Sequence, residues 1–129
     1  MAVFLCPEIG EQLRLHPVQP LRRLLFFFFG ISGVPESYRG GESYPITVLI
    51  SQPGQSRWGF QLSARQAASG EQAGQLAPAD DRTQLLEAGG IQYIQQTSEG
   101  ARAGTFNGPV TFQFNWIAPD PSEGPIFFY

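Results

Sequence analysis

The segment PVTFQFNWIAP, residues 109–119, shows the clearest alternation of apolar and polar residues in the chain. The apolar residues of this alternation are Val110, Phe112, Phe114 and Trp116. Successive side chains of a β-strand point to opposite faces, so the segment predicts a strand with one buried face and one solvated face. Two further segments show the same period, SYPITVLIS at 43–51 and RWGFQLSAR at 57–65. Strands of this kind are typical of antiparallel sheets that pack on one side.

Three shorter strand candidates are IQYIQQT (91–97), IFFY (126–129) and, with a weaker pattern, TQLLEA (83–88). Turn residues such as Gly89-Gly90 separate them. In residues 67–81, Gly70, Gly74 and Pro78 interrupt any helix, so we expect a loop with a short edge strand. The pattern requires no helix anywhere. It predicts an all-β fold, an antiparallel β-sandwich of two sheets and about seven to eight strands.

Composition excludes several classes of protein. The chain has 129 residues, which is enough for one domain, and 42% of them are hydrophobic, so disorder is a poor interpretation. Eleven acidic residues stand against eight arginines and no lysine, which gives a net charge of −3 and no basic field for nucleic acid. With one Cys and one His, the chain lacks the ligands of a structural zinc site and cannot form an internal disulfide.

The N-terminal region divides into two parts. Residues 1–20 lack a repeating period, and we expect a poorly structured tail there, followed by a single domain over residues 21–129. The apolar run in LRRLLFFFFGISGV (21–34) resembles a secretion signal, but its length and flanks favour a buried strand. It is too short to span a bilayer, so a membrane-spanning chain is not expected.

Several ordered motifs resemble those of the Reeler (reelin N-terminal-like) domain, and more closely those of its bacterial secreted or anchored relatives. The resemblance spans roughly residues 22–129. It rests mainly on three groups of residues: Gly59-Phe60 with Ala64-Arg65, Tyr93-Ile94 with Thr97, and Phe114-x-Trp116-x-Ala118-Pro119.

The resemblance implies an immunoglobulin-like or fibronectin-III-like sandwich that acts as a non-enzymatic adhesion or recognition module. It further implies an extracellular or cell-envelope location and an unknown protein or glycan ligand. An accessory unit of a surface redox system, related to haem proteins or ferric reductases, is the alternative. A truncated fragment without independent function is the third reading.

The chain departs from the family pattern at both ends. The Cys-x-x-Cys-His stretch of bacterial members is replaced by Cys6 and His16, so no haem and no other cofactor is expected. No clear secretion signal precedes the domain, and the chain stops at Tyr129 inside its expected final strand. If the final strand is truncated, Leu24–Phe29 would face an open edge, and strand-edge self-association and poor solubility are expected.

No enzyme is expected, because the parts of a catalytic site are missing. Cys6 and His16 could act as nucleophile and base, but both lie in the expected tail, where nothing holds them together. A Ser-His-Asp triad would need the same His16, and no G-x-S-x-G motif is present.

Two acidic groups, Asp80 with Asp81 and Asp120 with Glu123, could contribute ligands to calcium. Neither is a full ligand set, and aspartates at such positions commonly begin turns, so no metal site is expected. Whether these loops bind calcium stays open.

The remaining candidates are aromatic and amide side chains. Trp58, Tyr93 and Trp116 could form a platform for a glycan or a peptide, but the two tryptophans follow the apolar period and are expected in the core. The polar faces are rich in glutamine: Gln61, Gln66, Gln92, Gln95, Gln96 and Gln113. Such a surface is either a solvated face or a low-charge adhesive interface, and the sequence leaves both open.

Overall fold

A computed structural model describes residues 2–5, 14–16 and 28–129 of the chain. These residues form eleven strands, one short α-helix, α1 (Ser98–Arg102), and one 3-10 helix, Pro121–Glu123. The strands are β1 (Ala2–Leu5), β2 (Arg14–His16), β3 (Phe28–Ser32), β4 (Ser43–Ser51), β5 (Gln61–Leu62), β6 (Ala64–Gln66), β7 (Gln75–Pro78), β8 (Thr83–Ala88), β9 (Ile91–Gln96), β10 (Val110–Ile117) and β11 (Ile126–Phe128). All named strand pairs are antiparallel. The all-β sandwich predicted from the sequence is confirmed.

The strands are arranged in three hydrogen-bonded sheets. Sheet I has the order β3-β4-β10-β7, sheet II the order β5-β9-β8, and sheet III the order β2-β1-β11-β6. Side chains of β10 in sheet I reach both other sheets: the Trp116 ring lies 5.2 Å from Phe128 of β11, and the Phe112 ring lies 4.9 Å from Phe60, just before β5. Sheet I is therefore one layer of the sandwich, and sheets II and III together cover it.

The chain passes from sheet II to sheet III within a few residues. Residues 57–65 alternate as one strand in the sequence, but the structure divides them between β5 and β6, which belong to different sheets. Ser63 lies at the crossing, and its backbone exchanges two hydrogen bonds with Tyr129, of 3.0 and 2.9 Å. The expectation of a single strand here is wrong, because alternation records burial and not which strand is the hydrogen-bonding partner.

The core is centred on Trp116, whose side chain is fully buried. Its indole Nε1 donates to the Ala73 carbonyl at 3.0 Å, and its ring contacts those of Tyr38, Tyr44 and Phe128 at 5.2 to 5.8 Å. The four alternating apolar residues of β10 are all buried, as the alternation predicts: Val110, Phe112, Phe114 and Trp116. Strand β4 pairs with the whole length of β10, and its residues Ile46, Val48 and Ile50 are buried as well.

Outside the core, the loop predicted over residues 67–81 contains β7, which is an edge strand of sheet I as expected. A helix was not expected, but α1 follows β9. Its N-cap is Thr97, whose hydroxyl oxygen accepts from the Gly100 N–H at 3.1 Å. This cap signal is present in the sequence, but glycine within the segment and its five-residue length hide the helix.

In the N-terminal region, β3 confirms part of the strand predicted within 21–34, and the rest of Leu24–Phe29 before Phe28 lies outside the described residues. Strands β1 and β2 lie within residues 1–20, and β1 pairs with β11. The domain boundary near residue 20 stays a prediction. Among the residues that the structure describes, no helix has the length and apolar character needed to cross a bilayer.

Candidate functional site

Three of the four acidic candidates accept hydrogen bonds with their side chains. Asp80 Oδ1 accepts from the Arg82 N–H, and Asp120 Oδ1 accepts from the Ser122 N–H, each at 2.9 Å. Glu123 accepts from the Gln66 amide at 2.7 Å. In the described part of the chain, no three His, Cys, Asp or Glu side chains come together as metal ligands would. Asp80 and Asp120 thus each bind a backbone N–H two residues on, as aspartates that begin turns do. Calcium binding by these loops stays untested.

Asp120 also has a perturbed pKa. The backbone N–H of Ser122 and then its hydroxyl stabilise the ionised carboxylate and lower the pKa of Asp120 below its ordinary value of 3.8. Since the folded-state pKa is the lower one, this turn is stabilised at neutral pH, and the contribution is lost as the pH falls through the lowered pKa.

The two tryptophans lie in the core, with Trp58 5% exposed and Trp116 fully buried. Neither can form a platform for a ligand. Tyr93 differs, because its side chain is half-buried at the surface. Cys6 lies outside the described residues, and of His16 only the backbone position in β2 is described, so their pairing as nucleophile and base stays untested.

Several glutamines bind backbone groups where sheet pairing ends. Gln92 Oε1 on β9 accepts from the N–H of Leu76 on β7 at 2.9 Å, which links sheet II to the edge of sheet I. Gln96 Oε1 accepts from the Phe60 N–H at the same distance. From the sequence, these side chains are expected to form either a solvated face or an adhesive interface. Their structural role could not be read from it, because it depends on which strand edges lie side by side.

The Gln92 link can be tested by substitution. Gln92→Ala leaves the N–H of the buried Leu76 without its acceptor, so we expect the free energy of unfolding to fall by about 1–3 kcal/mol. The measurement is urea unfolding followed by tryptophan fluorescence. Gln61→Ala is the matched control, because Gln61 bonds only the Gln95 side chain at the surface and should change stability by less than about 0.5 kcal/mol. Equal losses in the two variants would contradict the link.

Tyr93 belongs to a surface cluster that joins three strands, which we call the tyrosine–arginine patch: Arg65, Tyr93, Phe127 and Tyr129. The Arg65 guanidinium lies between the rings of Tyr93 and Tyr129, 5.7 and 5.8 Å from their centroids. Its Nη2 donates to the Tyr93 hydroxyl at 2.6 Å, and its Nε donates to Ser63 Oγ at 3.2 Å.

Sheet pairing explains why Phe127 and Tyr129 lie beside Arg65. Phe127 lies directly opposite Arg65 across the β6–β11 pair. Tyr129 follows two residues later, so its side chain points to the same face, and its ring lies 5.7 Å from that of Phe127. Tyr129 is 52% exposed. The patch is thus a surface of aromatic rings around one guanidinium, held by backbone hydrogen bonds beneath it.

A second surface feature is a polar cleft of about 310 Å³ beside α1, lined by residues that include Arg57, Gln95, Gln96 and Arg102. No sequence signal singled out Arg57 or Arg102, because they are 45 positions apart and meet only through the fold.

Solved structures of F-spondin domains share this fold. The human F-spondin Reeler domain (fragment 2) is 24% identical to this chain, with 78% of this chain and 73% of that one covered and a TM-score of 0.53. The Reelin-N domain of F-spondin is 25% identical, with 78% and 67% covered and a TM-score of 0.52. No protein-family model and no curated protein matches the sequence. The Reeler resemblance is confirmed as a likeness of fold, and the closer resemblance to bacterial relatives stays a prediction.

Proposed function

We propose that this chain, which has the fold of the F-spondin Reeler domains, is a non-enzymatic recognition or adhesion module that acts outside the cytoplasm. The extracytoplasmic location is supported by the sequence resemblance to Reeler-type modules. The observation that supports recognition most directly is the tyrosine–arginine patch, where three aromatic rings and a guanidinium share one surface.

The composition of the patch suits binding. Tyrosine, phenylalanine and arginine are enriched in protein interfaces, and tyrosine and arginine are enriched among the residues that contribute most to affinity. An aromatic ring offers a large apolar surface to a peptide side chain or to the C–H face of a sugar, while its hydroxyl offers a hydrogen bond.

Contacts within the patch restrain it before any ligand arrives. Arg65 is held by two hydrogen bonds and two ring faces, and Tyr129 by a pair of backbone bonds to Ser63. The Arg65 side chain therefore has less conformational entropy to lose on binding, which favours affinity. Recognition by such a surface needs no bond chemistry.

The proposal predicts that Tyr129→Ala weakens ligand binding by about tenfold or more, since exposed aromatic anchors of this kind often contribute that much. The ligand would first be found by screening the purified chain against arrays of glycans and of extracellular proteins from its host. Affinities of the variants would then be measured by biolayer interferometry.

Phe106→Ala is the matched control, because Phe106 is an aromatic side chain that is 65% exposed and lies outside the patch. It should leave affinity unchanged. Equal losses from Tyr129→Ala and Phe106→Ala would contradict the role of the patch. A hydrolytic or redox turnover by the pure protein, abolished by one surface substitution, would contradict the non-enzymatic function.

A further inference from the structure

The polar cleft beside α1 is formed where two distant parts of the chain are joined by a backbone hydrogen bond. The Trp58 N–H donates to the Ala101 carbonyl at 2.9 Å. Arg57 precedes the donor and Arg102 follows the acceptor, so this bond brings both arginines to the same cleft. Both side chains are exposed.

Three of the side-chain oxygens that line the cleft already accept hydrogen bonds. Gln95 Oε1 accepts from the Gln61 amide at 3.1 Å, and Gln96 Oε1 accepts from the Phe60 N–H at 2.9 Å. The Thr97 hydroxyl accepts from the Gly100 N–H and donates to the Asp81 carbonyl. Since Gln95 and Gln96 have their amide oxygens engaged, their Nε2 groups are left as donors. Gln84, which also lines the cleft, donates its Nε2 to the Gln96 carbonyl at 3.1 Å.

The charge of the cleft is positive, although the chain as a whole carries a net charge of −3. Arg57 and Arg102 line it, and no carboxylate does. Within the described part of the chain, neither guanidinium makes a hydrogen bond or an ion pair. A cleft that offers free donors and positive charge is complementary to a ligand rich in acceptors and negative charge.

We propose that this cleft binds the carboxylate side chains of an acidic polypeptide segment. Planar guanidinium groups bind carboxylates through two parallel hydrogen bonds, and the glutamine amides can donate to the remaining lone pairs. The lining contains no aromatic ring on which a sugar could stack, which favours a peptide over an acidic glycan. A volume of about 310 Å³ accommodates one or two acidic side chains of a longer segment.

The experiment is an NMR titration of the whole chain with the peptide (Glu-Gly)₄, and with (Gln-Gly)₄ as the uncharged match. We expect the acidic peptide alone to shift the Nε2 amide signals of Gln95 and Gln96. The dissociation constant should rise with ionic strength, since exposed charges are screened by salt. Arg57→Gln combined with Arg102→Gln should weaken binding by about tenfold or more, because hydrogen bonds to charged groups are the stronger ones.

Arg39→Gln is the control, because Arg39 is exposed and lies outside the cleft. Each single variant is measured as well, with thermal unfolding as a check on the fold. Unchanged affinity in the folded arginine variants, or no shift with (Glu-Gly)₄ at millimolar concentration, would overturn the proposal. Equal affinity for inorganic phosphate would reassign the cleft to small anions, and tighter binding of a uronic-acid polysaccharide would reassign it to glycans.

The proposals for the cleft and for the tyrosine–arginine patch can be tested separately. Tyr129→Ala should leave the shifts at Gln95 and Gln96 unchanged, because Tyr129 does not line the cleft.

Discussion

Trp116→Ala is expected to lower the free energy of unfolding by about 3–5 kcal/mol, a large share of the roughly 5–15 kcal/mol that stabilises a typical domain. The substitution removes the largest fully buried side chain and its contacts with Tyr38, Tyr44 and Phe128. It also removes the donor to the Ala73 carbonyl. The surrounding strands cannot close the cavity, because they are fixed by pairing on both sides of β10. Guanidinium chloride unfolding followed by circular dichroism measures the loss.

Two further variants separate the contributions to this loss. Trp116→Phe keeps an aromatic ring but removes the indole N–H, so its loss should be smaller than that of the alanine variant and should include the unpaired carbonyl. Leu85→Ala, at a side chain 40% exposed on the edge strand β8, should cost less than about 0.5 kcal/mol. A Trp116→Ala protein as stable as the Leu85→Ala protein would show that the core is not centred on this residue.

Gly74→Ala is expected to lower the free energy of unfolding by about 2–4 kcal/mol, from two causes. The backbone of Gly74 has a φ of +70°, which is unfavourable for alanine. An added Cβ would also overlap the Ile117 carbonyl oxygen and lie 2.9 Å from the Trp116 indole nitrogen. The backbone beside β10 would have to move, which threatens the hydrogen bond between Trp116 and Ala73. Thermal and denaturant unfolding of the same preparation give the size of the effect.

Gly70→Ala isolates the first of these causes. Gly70 has a nearly equal φ of +75°, but a Cβ there would meet nothing within 4 Å. This variant should therefore lose only about 1 kcal/mol, the cost of the left-handed backbone alone. If the two variants lost the same stability, close packing at Gly74 would not be the reason for glycine at that position.

The sequence predicts burial better than it predicts pairing. The period of two in residues 109–119 and 43–51 places the apolar faces of β10 and β4 correctly, because side-chain direction alternates in any strand. Over residues 57–65 the same period predicts burial correctly but not strand pairing. The chain changes sheets at Ser63, while its apolar side continues to face the core. No local feature of the sequence marks the change, since it depends on Tyr129 as a distant partner.

The surface sites show the same limit. Tyr93 could be selected from the sequence as a candidate, but its partners Arg65 and Tyr129 come from other strands and join it only through the order of strands in the sheets. The sequence shows only that glutamines are numerous on the polar faces. The role of Gln92 and Gln96 follows from the fold, which places the backbone N–H groups of Leu76 and Phe60 beside them. Thr97 is a helix-cap signal in the sequence, but a cap alone does not predict a helix of only five residues that contains a glycine.

The position of β11 has a consequence for the order in which the protein can be assembled. This strand is synthesised after the other ten strands, yet it lies between β1 and β6 in sheet III. On a ribosome, both flanking strands emerge long before it. Until it arrives, β6 has no partner strand in sheet III, and β1 is paired on one edge only, with β2. The edges of β1 and β6 that pair with β11 stay open while residues 67–125 are synthesised, which takes about several seconds at ordinary rates of translation. During that interval the nascent chain offers unpaired strand edges to other chains, so we expect it to bind chaperones that recognise extended apolar segments.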